Sequence, residues 1–161
     1  MCGIVGYIGK EQAAPFLLDG MSHLESRGSD SAGIAVMEGT QIRLEKCVGR
    51  LDALRAKIAG DMPVGTMGIG HTRWATHGRP CDRNSHPHAD GSGKFVVVHN
   101  GIIENYLSLK EQLIAKDHVF LSETDTEVVA HLMSELWDGD FESTVKKVLK
   151  EIKGSYSLVF I

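Results

Sequence analysis

The chain has 161 residues, a length that supports one compact domain and rarely two. Hydrophobic residues make up 42% and charged residues 24% of the chain, a balance that excludes the disordered and fibrous classes. The 17 basic and 21 acidic side chains give a formal net charge of −4 without any basic cluster, so nucleic acid is not an expected partner.

The first third of the chain alternates strand-like and helix-like patterns. Residues Gly3–Ile8 are apolar and β-branched, which predicts a buried strand. The β-rich runs Ala32–Met37 and Ile42–Val48 flank a turn-like segment and predict an antiparallel hairpin. Between this first strand and the hairpin, apolar residues at helical spacing predict a helix with one inward face: Ala14, Leu17, Leu18, Met21 and Leu24.

The middle of the chain carries a short helical pattern over residues 51–58, two strand patterns and a long polar segment. The strands are predicted at Met67–His71 and at Phe95–His99. The segment Thr76–Gly93 is rich in His, Pro, Asn, Asp and Gly without periodicity, so we expect a surface loop of the kind that often lines a site.

The last third is predicted to be mainly helical. One helix is expected from Glu104 to about Lys116, and Thr124–Glu127 has the form of a capping box, which predicts a helix start beside Asp125. Apolar residues at helical spacing then indicate a final helix, followed by a strand in SYSLVFI: Phe141, Val145, Val148 and Ile152.

These patterns together predict a two-layer α/β arrangement, in which the hairpin argues against a purely parallel sheet. Because the chain ends within a strand pattern, we also expect the domain to be truncated at its C-terminal end.

Cys2 is the first residue with a chemical interpretation. Methionine before a small residue is the usual substrate of N-terminal processing, so loss of Met1 would give Cys2 a free α-amino group. Such an amine can accept the thiol proton near neutral pH, which makes the nucleophile carry its own base. The alternative interpretation is a small hydrophobic residue that begins a strand.

Asn100 and Gly101 follow the strand that ends at His99. A sharp turn there would direct a side-chain amide and a backbone N–H into one pocket, where they would stabilise a tetrahedral oxyanion. An Asn-Gly turn without chemical function is the alternative.

Arg73 and Asp125 are candidates for binding an amino acid substrate. Arg73 lies where a strand ends, and a guanidinium binds an α-carboxylate through two hydrogen bonds. Asp125 supplies an anion for an α-ammonium group. A surface ion pair, or for Asp125 a helix-start residue, is the alternative.

Six segments carry a family resemblance. They occur in this order: CGIVGYIG from Cys2, RGSDSAGIAV from Arg27, GHTRWATHG from Gly70, NSHPH from Asn84, VHNGIIEN from Val98 and SETDTE from Ser122. With the closing SYSLVFI they cover essentially the whole chain. The set resembles the glutaminase domain of the glutamine–fructose-6-phosphate aminotransferase family. Phosphoribosyl amidotransferases share the layout but typically have a tyrosine–serine version of RWAT and an HNGNL-like version of HNGII.

The resemblance implies a catalytic set. Cys2 corresponds to the nucleophile, and Asn100 with the backbone of Gly101 to the oxyanion hole. Arg73 corresponds to the carboxylate anchor for glutamine and Asp125 to the ammonium anchor.

The resemblance also implies supporting residues. Thr76 and His77 would close around the bound glutamine, and Trp74 would belong to the loop that links the glutaminase and synthase sites. Arg27 corresponds to a buried arginine that organises the region around the nucleophile.

The fold and function implied by the resemblance are those of N-terminal-nucleophile (Ntn) hydrolases. Residues 1–161 would form one type-2 glutamine amidotransferase domain of the α+β class, an αββα sandwich of four layers with the nucleophile strand at its centre and without its last strands. It would hydrolyse glutamine to glutamate and ammonia without a cofactor or metal. Fructose 6-phosphate would bind isomerase domains that this chain lacks, in a full-length enzyme that forms glucosamine 6-phosphate as a possible homodimer.

Several alternatives remain open on the sequence. A metal site is one, because several ligand-type residues lie near one region, although none has CxxC or HExxH spacing: His71, His77, His86, His88, His99 and Cys81. A phosphoribosyl-type glutaminase domain and a non-catalytic glutamine-binding module are the others. Without a signal peptide or a run long enough to span a membrane, we expect a cytoplasmic location and no membrane partner.

Overall fold

The computed structural model describes residues 2–161 and contains strands and helices in alternation. Met1, whose removal the proposed chemistry requires, lies outside these residues. The elements are β1 (Gly3–Ile8), α1 (Ala13–Leu24), β2 (Ser31–Glu38), β3 (Gln41–Val48), α2 (Leu51–Ile58), β4 (Met67–Arg73), β5 (His88–Ala89), β6 (Val96–Ile103), α3 (Tyr106–Ile114), α4 (Glu127–Glu135), α5 (Phe141–Glu151) and β7 (Gly154–Phe160).

Two antiparallel sheets form the centre of the protein. The first has the strand order β1-β4-β2-β3 and the second the order β5-β6-β7. The predicted hairpin is confirmed, because β2 pairs with β3 from Ser31↔Val48 to Glu38↔Gln41. Its two-residue turn contains Gly39 at φ +62°, a backbone conformation that glycine adopts without steric cost.

Three apolar layers separate four structural layers. Because side chains alternate along a strand, Ile34 and Val36 of β2 face helices α1 and α2, whereas Ala35 faces the second sheet. Val96 and Val98 of β6 meet Ala35 between the sheets. A third cluster packs α3, α4 and α5 on the outer face of the second sheet. The αββα sandwich implied by the resemblance is therefore observed. The prediction from sequence patterns gave two layers and so accounted for only half of the four.

The position of β1 differs from expectation. Among residues 2–161 it pairs only with β4 and lies at the edge of the first sheet, not at its centre. Strands β4 and β2 take the two inner positions, and the glycines of β4 allow α1 to pack closely over it. A Cβ at Gly70 would stand 2.6 Å from the Met21 sulfur, and one at Gly68 would stand 2.9 Å from the Leu17 side chain.

Strand β6 extends further than the sequence predicted. It continues through Asn100 and Gly101, which pair with Ser157 and Tyr156 of β7, so the sharp turn expected after His99 is absent. The strand continues because β7 supplies hydrogen-bond partners up to Ile103.

The segment predicted as a surface loop is buried in part. Residues 84–88 are almost inaccessible to solvent, and the Lys46 ammonium of β3 donates to the carbonyls of Ser85 at 2.7 Å and Pro87 at 3.1 Å. These bonds satisfy backbone groups that the composition suggested would face water.

Helix α4 exists as predicted, but the capping box does not form. Thr126 occupies the N-cap without a side-chain bond to the helix. The Glu127 carboxylate instead accepts the backbone N–H groups of Leu121 at 2.8 Å and Ser122 at 2.6 Å, so it holds the preceding segment. Within residues 2–161 no helix is long and apolar enough to cross a membrane.

Candidate active site

Cys2 lies immediately before β1, beside the end of β4. Its sulfur accepts the backbone N–H of Trp74 at 3.0 Å and lies 3.4 Å from the Trp74 carbonyl. The next residue is fixed by a bond from the Gly3 N–H to the Thr72 hydroxyl at 3.1 Å. A Cβ at Gly3 would stand 2.6 Å from the Leu24 side chain, so glycine is needed for the chain to enter β1 here.

Asn100 contacts Cys2 across the two sheets. Its side-chain Nδ2 donates to the Cys2 carbonyl at 3.1 Å, which places the amide next to the nucleophile. Gly101 follows at φ +120°, and a Cβ there would fall 1.9 Å from the Ser155 carbonyl oxygen. Only glycine therefore fits at this point of β6.

Arg73 is a buried cation, 3% exposed, with incomplete hydrogen bonding. Its Nη2 donates to the carbonyl oxygens of His77 and Gly78, whereas Nη1 is buried without a partner. Burial lowers the pKa of Arg73, and the nearby Cys2 opposes that shift most strongly. A guanidinium stays charged in proteins, so the site holds a positive charge near Cys2.

Asp125 is a buried carboxylate, 3% exposed. Its Oδ2 accepts the backbone N–H of Ile103 at 2.8 Å and lies 4.0 Å from Nδ1 of His99. Its other oxygen lies 3.8 Å from Nδ1 of His77. The structure therefore joins Asp125 to β6 and to the 73–78 loop.

Residues 74–77 form a partly exposed loop segment beside Cys2. The Trp74 side chain is 57% exposed, and Thr76 is also exposed. His77 packs edge-on against the Tyr106 ring at 5.3 Å. Asp30 stabilises this segment, because its carboxylate accepts the Ala75 N–H at 2.8 Å. Sequence analysis missed Asp30, although it stands in the RGSD segment.

Arg27 was expected to be buried, but it is not. It is exposed in a short 3₁₀ turn at Glu25–Arg27. The buried residue is the neighbouring Gly28, where a Cβ would stand 2.8 Å from the carbonyl carbon of Arg73. Gly28, and not Arg27, therefore packs closely against β4. The expectation that Arg27 is buried is wrong.

An apolar cavity of about 530 Å³ lies away from this site. Met37 and Phe95 line it, with Trp137 and Phe160. Met37 is at the far end of β2 from Ser31, which pairs with Arg73. The cavity is therefore at the opposite end of the sandwich and takes no part in the constellation around Cys2.

Four of the histidines that raised the metal-site alternative are buried: His71, His86, His88 and His99. The rings of His71 and His86 stack at 4.1 Å, and burial lowers the pKa of all four. Among residues 2–161, no three or more His, Cys, Asp or Glu side chains are arranged to hold a metal ion.

Comparison with solved structures defines the class of fold. The glutamine phosphoribosylpyrophosphate amidotransferase from B. subtilis superposes on all of this chain with a TM-score of 0.84 and 28% identity, and the match covers 35% of that protein. A structure described as the allosteric regulatory enzyme of purine biosynthesis gives a TM-score of 0.87, 27% identity and the same two coverages. The fold is the α+β sandwich of Ntn-type amidotransferases.

The family follows from the sequence. The family model described as "Glutamine amidotransferase domain" matches residues 71–161, more than half of the chain. The chain belongs to this glutamine amidotransferase domain family. Relatives named glutamine–fructose-6-phosphate aminotransferase (isomerizing) are 58% identical in Caldanaerobacter subterraneus subsp. tengcongensis and 53% identical in Clostridium tetani. Both matches cover 98% of this chain and 26% of the relative, so the chain spans about a quarter of their length.

Proposed function

We propose that this chain hydrolyses the side-chain amide of L-glutamine to glutamate and ammonia through a thioester on Cys2. The observation that carries the proposal is the direct contact of the Asn100 amide with Cys2 at 3.1 Å, next to the buried Arg73 guanidinium. A thiol nucleophile, an amide donor and a cation thus meet at one edge of the sandwich. These groups match the needs of acyl transfer on an amino acid substrate.

The reaction has two halves. With Met1 removed, the α-amine of Cys2 takes the thiol proton, and the sulfur forms a bond to the amide carbon of glutamine. The amide oxygen becomes an oxyanion bound by Nδ2 of Asn100 and the N–H of Gly101. As the oxyanion collapses, the C–N bond breaks and the amine proton passes to the departing ammonia. Water then adds to the thioester, and the C–S bond breaks to release glutamate and restore the thiol.

Arg73 and Asp125 are proposed to bind the two charged groups of the substrate. The unpartnered Nη1 of Arg73 suits the α-carboxylate, because a buried cation gains from an anionic partner. Asp125 suits the α-ammonium, since only one of its oxygens accepts a backbone N–H. Thr76 and His77 would close over the substrate, and Trp74 would face the acceptor site of a longer protein.

We also propose that residues 1–161 act as the nitrogen-supplying domain of a longer cytoplasmic enzyme. The relatives are named for an aminotransferase acting on fructose 6-phosphate and are about four times as long as this chain. In such an enzyme the ammonia would pass to a sugar phosphate to give glucosamine 6-phosphate, and the full-length protein would form a homodimer. The phosphoribosyl alternative is weaker, because its identity is 28% against 58%.

The test is glutamine-dependent release of glutamate by the chain and by Cys2→Ala. Intact mass first establishes that Met1 has been removed, since a retained Met1 leaves the Cys2 nitrogen as a non-basic amide. We expect glutamate release from the wild-type chain and none from Cys2→Ala, with Cys47→Ala as a matched thiol control that keeps activity. Release that survives in Cys2→Ala would refute the proposed role of Cys2.

A non-catalytic glutamine-binding module is the second candidate. Trapping with an electrophilic glutamine analogue separates the two, because only a working nucleophile gains the mass of the analogue at Cys2. Glutamine binding without trapping and without glutamate release would favour the binding module.

A further inference from the structure

The orientation of the Asn100 amide follows from its neighbours. The Cys2 carbonyl is only an acceptor, so the amide atom 3.1 Å away must be the NH₂ group. The amide oxygen Oδ1 then points away from Cys2, toward Nε2 of His71 at 2.9 Å. One N–H of the amide binds the Cys2 carbonyl, and the second is left for a substrate oxyanion.

The tautomer of His71 follows in turn. Its Nε2 lies within hydrogen-bond distance of two oxygens that only accept, Oδ1 of Asn100 and the His99 carbonyl at 3.1 Å. Nε2 must therefore carry the proton. Nδ1 is then the bare nitrogen, and it is buried without a partner beneath the stacked His86 ring. This arrangement suits a neutral ring, since a proton on Nδ1 would find no acceptor.

His71 also links the two sheets. It belongs to β4 of the first sheet, whereas Asn100 belongs to β6 of the second. The ring is fully buried, so its bond to Oδ1 does not compete with water. A rotation of the amide by half a turn would put NH₂ against the His71 N–H and the amide oxygen against the Cys2 carbonyl. Both contacts would then be repulsive.

We propose that His71 is a positioning residue, which fixes the Asn100 amide so that one of its N–H groups holds the Cys2 carbonyl and the other binds the oxyanion. This inference rests on the proposed glutaminase function. It assigns His71 no contact with substrate: the ring acts through Asn100 alone. Removing the ring would free the amide to rotate and would weaken transition-state binding more than substrate binding.

The test compares two reactions of Cys2 in His71→Leu. Glutamine hydrolysis passes through an oxyanion, whereas alkylation by iodoacetamide displaces iodide and forms no oxyanion. We expect kcat for glutamine to fall about 10- to 100-fold with KM changed less than about threefold. The rate of Cys2 alkylation, read by peptide mass mapping to separate it from Cys47 and Cys81, should stay within about twofold.

His88→Leu is the matched control, because it also removes a buried imidazole from the same cluster but its bond goes to the Thr124 hydroxyl at 3.1 Å. We expect its kcat to remain within about threefold of wild type. Equal loss of kcat in both variants, an unchanged kcat in His71→Leu, or parallel loss of hydrolysis and alkylation would each overturn the positioning role. Absence of activity in the wild-type chain, or activity in Cys2→Ala, would instead refute the glutaminase proposal itself.

Discussion

The two terminal nitrogens of the Arg73 guanidinium have different surroundings. One of its nitrogens, Nη2, holds the carbonyls of His77 and Gly78, and the other, Nη1, has no protein partner. A lysine has a single ammonium group and cannot reproduce this fork. The structure thus separates the nitrogen that holds the loop from the nitrogen that we propose binds the substrate carboxylate.

Arg73→Lys is therefore expected to raise KM for glutamine about 10- to 100-fold, the size of one lost charge-assisted hydrogen bond of roughly 1.5–3 kcal/mol. Steady-state glutamate release measures the change. Arg83→Lys is the control, since Arg83 is 54% exposed and pairs with Glu123 at 3.5 Å, where the two cations are interchangeable. An unchanged KM in Arg73→Lys would contradict the carboxylate-anchor role.

The sequence indicated candidate residues that lie close together in the structure, but not their local geometry. Cys2, Asn100 and Arg73 were chosen for their chemical groups, and the structure brings them together. The role proposed for His71 depends on a contact between β4 and β6, 29 positions apart along the chain, which no local pattern encodes. Arg27 shows the reverse case: its burial was inferred from a motif, but the backbone turn directs it outward.

At the scale of elements, Lys46 joins β3 to the segment that leads into β5. Its ammonium is largely enclosed and donates to the carbonyls of Ser85 and Pro87. Burial lowers the pKa of Lys46 to about 8, so the group still carries its charge at neutral pH. Without it these buried carbonyls would lack partners.

Lys46→Met keeps the aliphatic stem and removes the donor. We expect the free energy of unfolding to fall by about 1–3 kcal/mol, the usual cost of leaving buried acceptors unsatisfied. Urea denaturation measures the loss, and trypsin cleavage after Arg83 should become faster as the segment loosens. Lys10→Met, at an exposed position, should change neither. Equal stability of the two variants would show that Lys46 does not hold the segment.

The existence of a helix or strand was easier to predict than the residue at which it begins or ends. Helix α5 has strong apolar spacing, and its start at Phe141 matches the pattern because Asp140 caps it by accepting the Ser143 N–H at 2.6 Å. The end of β6 was misplaced because Asn-Gly usually favours a turn, and here pairing with β7 overrides that preference. Tertiary partners, which the local sequence does not show, decided the boundary.

For the whole molecule, the layer between the sheets combines an apolar part with a polar end. Ala35, Ile69, Val96 and Val98 fill one region, and the buried histidines occupy the end near Cys2. Sequence patterns predicted where the main strands lie but not that two sheets would face each other, since that depends on pairing across the chain. The family resemblance supplied this information.

The buried histidines should make folding sensitive to mild acid. Burial lowers the pKa of His71 to about 4 and those of His86 and His88 well below their usual value. In the unfolded chain a histidine titrates near ~6.5. Between these pH values the unfolded chain binds more protons than the folded one, so stability falls as the pH falls from about 6.5 toward 4. The stabilised carboxylates Glu127 and Glu135 lose their contribution only below about 4.5.

Urea denaturation at pH 7, 6 and 5 therefore isolates the histidines. We expect each of His71, His86 and His88 to contribute a loss on the order of 2 kcal/mol by pH 5, so the urea midpoint should drop steeply. His88→Leu should reduce the loss at pH 5 by about 2 kcal/mol, because one of the protected rings is gone. His23→Gln should leave it unchanged, since the His23 side chain is 77% exposed. A midpoint that does not move between pH 7 and 5 would mean that the histidines at the Cys2 end of the sandwich are not kept from protonation by the fold.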